Sequence, residues 1–213
     1  MKRASLSALV LVAVFALSAV AASAATPEWW VAGKLLEGTE KLGEPTKITH
    51  PVVIKTASLA VECSTVTVEA GAIGAKNENS AQSLGFQGCQ VVGSPACEVA
   101  NIKTEPLNFP LEKPATVIKL RFTPKSGILI AVINVKSVSG QTCLVAGTKE
   151  LTTGGGEKGG MNCNYPNVEI EAVEHTLEFT ATSGSEVKVN GEPAEFIATF
   201  AWKLASSKAF SAR

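Results

Sequence analysis

Two histidines and one tyrosine in 213 residues leave this chain poor in the side chains that most often move protons. His50 and His175 lie far apart, and no HExxH is present, so zinc-protease chemistry has no foundation. A GxSxG nucleophile elbow is also missing. The one glycine-rich stretch, "ELTTGGGEKGGMN" (Glu150 to Asn162), places Gly159-Gly160 after Lys158, where a nucleotide cradle needs Ser or Thr opening a helix. It reads instead as a surface loop. Lys47, Lys55, Lys76 and Lys103 stand singly, with no basic run. Nucleic acid is therefore not an expected partner, and a basic helix for an anionic membrane is lacking. No amphipathic helix and no fixed-period repeat follow the first residues.

What is present begins with "MKRASLSALVLVAVFALSAVAASAATPEWW". Lys2 and Arg3, an uncharged run from Leu6 to Ala22, and Ala22-Ser23-Ala24 make a secretory signal peptide, residues 1–24, with cleavage after Ala24 or Ala25. A second long apolar run does not occur, so no membrane insertion is expected once the signal is removed. Residues 25–213 then form a single domain, slightly acidic after loss of Lys2 and Arg3.

Five cysteines, Cys63, Cys89, Cys97, Cys143 and Cys163, contain no CxxC pair, which argues against zinc and against a redox couple. In an exported chain they read as disulfides. Cys89 and Cys97 flank a Gly93-Ser94-Pro95 turn and are expected to pair, a staple contributing roughly 2–3 kcal/mol. Cys143 and Cys163 flank the glycine-rich loop and are the first choice for a second bridge, leaving Cys63 as the candidate unpaired thiol, a small buried hydrophobe. No metal and no cofactor is expected.

Period-two patterning dominates the rest. Val61 and Cys63 alternate with Glu62 and Ser64, then Val66 and Val68 continue in the opposite phase, which predicts a bulge near Ser64-Thr65. Ile118, Leu120 and Phe122 lead into "TPKSG", read as a hairpin loop, and "ILIAVINV" reads as a strand covered on both faces. Val168, Ile170 and Ala172 alternate with Glu169 and Glu171 as another strand. Asn190-Gly191 predicts a tight hairpin whose second strand puts Phe196, Ala198, Phe200 and Trp202 on one face. The fold class is all-β: an antiparallel sandwich or barrel-like single domain, stapled by disulfides.

Candidate functional residues are few. Trp29 and Trp30 are the ligand-binding candidates, since adjacent strand residues point to opposite faces and one indole would be accessible. Glu169, Glu171, Glu174 and Glu178 read first as a solvated strand face, and His175 and His50 as structural residues. The chain is expected to be a secreted, non-enzymatic binding or structural protein touching a cell-wall polymer or an envelope protein. The alternatives are an extracellular hydrolase with a fold-assembled acidic site around Glu174 and Glu178, and a secreted inhibitor or toxin.

Three segments, "ATPEWWVAGKLL", "FQGCQVVGSPAC" and "EHTLEFTATSGSEVKVNGEPAEF", together resemble a group of small exported proteins of high-GC Gram-positive soil bacteria. The resemblance implies export and a β-rich fold. It brings no activity, cofactor or site residue with it.

Overall fold

The computed structural model describes residues 26–114, 117–154, 159–179 and 186–213. The expected signal peptide and residues 155–158 of the glycine-rich segment lie outside the described residues. The chain opens with β1 (Trp29–Val31), β2 (Lys34–Leu35) and β3 (Thr39–Lys41), followed by the long strands β4 (Lys47–Lys55) and β5 (Ala60–Glu69). Short β6 (Ala72–Gly74) and β7 (Ser80–Ala81) precede β8 (Ser83–Val91), β9 (Cys97–Val99), β10 (Ile102–Lys103), β11 (Leu107–Asn108) and β12 (Leu111–Glu112). Then come β13 (Lys119–Pro124), β14 (Leu129–Ser137), β15 (Gly147–Thr153) and β16 (Met161–Asn164). The chain finishes with β17 (Glu174–Phe179), β18 (Val187–Val189), β19 (Glu192–Lys203) and β20 (Phe210–Ala212).

Antiparallel pairings run from β4 through β5, β8, β9, β14, β15, β18 and β19 and back to β4, closing an eight-stranded barrel. A second circuit reuses the wall β19–β4–β5–β8. It leaves β19 through β17, β16, β13 and β11 and returns through β7, which runs on into β8. β19 serves both circuits because it is long: Ala194 pairs with β18, while Ala198 to Lys203 pair with β17. Its expected inner face is observed, with Phe196, Ala198, Phe200 and Trp202 all buried. Asn190 and Gly191 form the predicted two-residue turn, with φ of 49° and 80°, between Val189 and its partner Glu192. Apolar side chains fill the interior and polar ones face outward, the reverse of a membrane barrel. Among the described residues no helix is long and apolar enough to cross a membrane.

Several local expectations change. The phase switch at Ser64-Thr65 is present, but β5 and β8 keep one register throughout, from Val61↔Val91 to Glu69↔Ser83. Both strands turn over together, and Gly88 permits it with φ of 61° beside Ser64. "TPKSG" carries the chain from one circuit to the other, since β13 is in register with β11, β12 and β16 while β14 is in register with β9 and β15. β14 is covered on one face only: Ile133 and Val135 are buried, and Asn134 is exposed. A bulge between Leu129 and Ala131 bends its start. The stretch around Val168 and Ile170 is turn rather than strand, because Pro166-Asn167 breaks the run, with Asn167 at φ of 57°. Glu150–Thr153 and Met161–Asn162, placed in the glycine-rich loop, belong to β15 and β16.

The disulfides are also corrected. Cys63 pairs with Cys89, and Cys97 with Cys143; buried Cys163, not Cys63, is free. Cys89 fails to meet Cys97 because the pairing Gln90↔Glu98 sets Cys97 opposite Val91 and Cys89 opposite Val99. Across the other edge of β8, Cys63 stands directly opposite Cys89, with Cα atoms 3.9 Å apart. Cys97 pairs in register with Ser137 of β14, and the Ser137 hydroxyl accepts from the Cys143 N–H at 3.1 Å. That turn brings Cys143 back onto Cys97. Cys163 lies on the inner face of β16 opposite Leu120, away from the loop that suggested its partner.

Candidate functional site

Trp29 is not a binding surface. It is 1% exposed, and its indole N–H donates to Asn79 Oδ1 at 2.7 Å. The same oxygen accepts from the Gly74 N–H, while Asn79 Nδ2 donates to Asn77 Oδ1 and to the Phe109 carbonyl. Every hydrogen-bonding group of this buried amide has a partner, as a buried polar side chain requires. Trp30, on the opposite face of β1, is half-buried, and the Arg213 guanidinium sits over its ring at 5.1 Å. One face of that platform is therefore already occupied by the chain's own last residue.

His175 is not on the surface either. It is buried between the rings of Tyr165 and Phe210, and burial pushes its pKa below the ordinary imidazole value. His50 is exposed. Glu174 and Glu178 open into one depression of about 490 Å³ with Thr176 and Ile170; His175 also borders it, but its ring is buried and hydrogen-bonded to the Phe210 carbonyl. Four residues apart on a strand, the two glutamates have Cα atoms about 13 Å apart. Glu174 also accepts a hydrogen bond from the Thr46 hydroxyl. Glu169 and Glu171 fall on the turn, so the four carboxylates do not share one strand face. Burial raises the Cys163 thiol well above its ordinary pKa, which keeps it protonated and unsuited to attack. Among the described residues no three His, Cys, Asp or Glu side chains gather to hold a metal ion.

A broad concavity lies where the walls of the two circuits part. It measures about 820 Å³ and is lined on one side by Arg121 and Thr123 of β13 and on the other by Glu150 and Thr152 of β15 and Lys188 of β18. Pro110, Pro124 and the exposed Ile128 add apolar surface. Alternation explains this lining: Leu120, Phe122, Leu151 and Val187 point into the core, so their neighbours point into the groove. The walls are braced. Arg121 is ion-paired with Glu112, the Glu150 N–H donates to Asn190 Oδ1 at 2.8 Å, and the Asn190 N–H donates back to the Glu150 carbonyl at 2.9 Å. The described lining holds one carboxylate, no histidine and no cysteine. It offers hydroxyls, an ammonium and apolar surface, groups that can hold a ligand.

No family model, curated protein or solved structure matches this chain. The groove is thus read from its own chemistry. It is not legible in the sequence because its residues come from three separated strands and the loops between them. The only local signal was outward alternation at Arg121, Thr152 and Lys188.

Proposed function

We propose that this chain is a secreted, non-enzymatic binding protein of the cell exterior, which holds a cell-wall polymer or an envelope protein in the groove between its two circuits. The groove carries the reading: it is large, braced, lined by polar groups of both signs, and its described lining lacks the second acid or base that hydrolysis needs. Two disulfides fit an oxidising compartment, and the first 24 residues supply the export signal.

The test is sedimentation of the oxidised protein with isolated cell envelopes across salt and added wall polysaccharides. Saturable binding that is abolished by Thr152→Trp, which fills the groove, and kept by Trp30→Ala supports the reading. Protein that stays in the supernatant throughout removes it. Hydrolytic activity lost in Glu174→Gln or Glu178→Gln would instead favour an extracellular hydrolase using the second depression.

A further inference from the structure

β20 is held along both of its edges. β20 pairs with β1 through Trp29↔Ala212, Trp30↔Ser211 and Val31↔Phe210. Beyond it, the N–H groups of Glu28 and Arg213 donate reciprocally to each other's carbonyls at 2.8 and 3.0 Å. On its other edge, Phe210 exchanges two backbone hydrogen bonds with Ala172, and the Ala212 N–H donates to the Val168 carbonyl. Phe210, Ser211 and Ala212 are fully buried.

One side chain in this clasp is an imidazole, which burial holds below its ordinary pKa. His175 of β17 reaches the Phe210 carbonyl with Nε2 at 2.7 Å. A carbonyl only accepts, so Nε2 carries the proton of the neutral ring and Nδ1 is left bare. Tyr165 packs edge-on against the imidazole, and Phe210 lies 4.5 Å from it, centroid to centroid. Tyr165 is itself held, accepting from the Trp202 indole N–H at 2.7 Å, and its burial keeps it protonated. The charged and titratable groups on the surrounding elements are Glu174 and Glu178 on β17, Cys163 on β16, Glu169 and Glu171 on the adjoining turn, Lys203 on β19, Glu28 just before β1 and Arg213 just after β20. None of them is hydrogen-bonded to the ring.

We infer that His175 is an acid-sensitive latch: a second proton, on Nδ1, places a cation between Tyr165 and Phe210 and releases β20 from β1 and from the Val168–Ala172 turn. Burial already opposes that charge and lowers the folded-state pKa. The latch is therefore closed above the ordinary histidine value and opens as pH falls through the lowered one.

Hydrogen exchange tests it, comparing peptides covering 28–32 and 209–213 with β5 and β8 peptides as internal reference. At about pH 5 the clasp peptides are expected to lose protection by about tenfold or more relative to about pH 7.5, while the reference peptides do not. His175→Gln, which keeps a donor and does not titrate, should remove that pH dependence. Ring NMR provides a check independent of the variant. The opening midpoint must coincide with titration of His175 and not of exposed His50. Unchanged wild-type protection, the same loss in His175→Gln, or a midpoint that follows His50 would each overturn the latch.

Discussion

Replacing Asn79 by alanine is expected to destabilise the protein more than any exposed substitution, and the amount follows from its contacts. The side chain ties four segments together: Trp29 of β1, Gly74 at the end of β6, the Phe109 carbonyl ahead of β12, and Asn77, which itself exchanges hydrogen bonds with Leu111 at 2.6 and 2.8 Å. Alanine leaves the buried Trp29 indole N–H, the Gly74 N–H and the Phe109 carbonyl without this partner. Each orphaned group costs about 1–3 kcal/mol, so roughly 3–5 kcal/mol is expected after partial relaxation. That is a large share of a typical domain stability of about 5–15 kcal/mol. Urea unfolding of the oxidised protein, followed by far-UV circular dichroism, measures it as a shift in midpoint at constant slope. Asn79→Asp sharpens the test. A carboxylate still accepts from Trp29 and Gly74, but it faces Asn77 Oδ1 and the Phe109 carbonyl with no donor. Its destabilisation should therefore shrink as acid restores a proton. A loss below about 1 kcal/mol in Asn79→Ala, at unchanged slope, would refute the argument that this amide holds the first strand to the second circuit.

Thiol labelling checks the cysteine assignment. The native protein should take up no alkylating reagent, and the unfolded, unreduced protein should take up one equivalent, on Cys163; peptide mapping should recover Cys63–Cys89 and Cys97–Cys143. The two disulfide loops do not overlap in sequence, spanning 26 and 46 residues. Their chain-entropy contributions of about 3.5 and about 4 kcal/mol should therefore be nearly independent, as single and double Cys→Ala variants in urea would show. Gly88→Ala is expected to cost about 1–3 kcal/mol, from its left-handed φ and from a methyl group that overlaps Ser64 Oγ. Gly93→Ala shares the left-handed φ but has open space around it, so it should cost less; equal losses would remove the steric part of the argument.

Much of the architecture was written locally. Period-two alternation at Val61–Cys63, Leu120–Phe122 and Phe196–Trp202, with Asn190-Gly191 between β18 and β19, follows from the pleat and from turn sterics, which neighbouring residues alone set. Such rules establish an all-β chain with an apolar face on its long strands. They do not say which strand lies beside which. Register between distant strands decided the rest. It set Cys89 against Cys63, buried Trp29 on Asn79 and turned His175 inward onto Phe210. It also assembled the groove from Arg121, Thr152 and Lys188, residues that mean nothing as neighbours in sequence. Strand existence is a property of a few consecutive side chains. A disulfide, a buried hydrogen-bond hub or a binding groove is a property of pairings between segments tens of residues apart, and only closure of the two circuits supplies those.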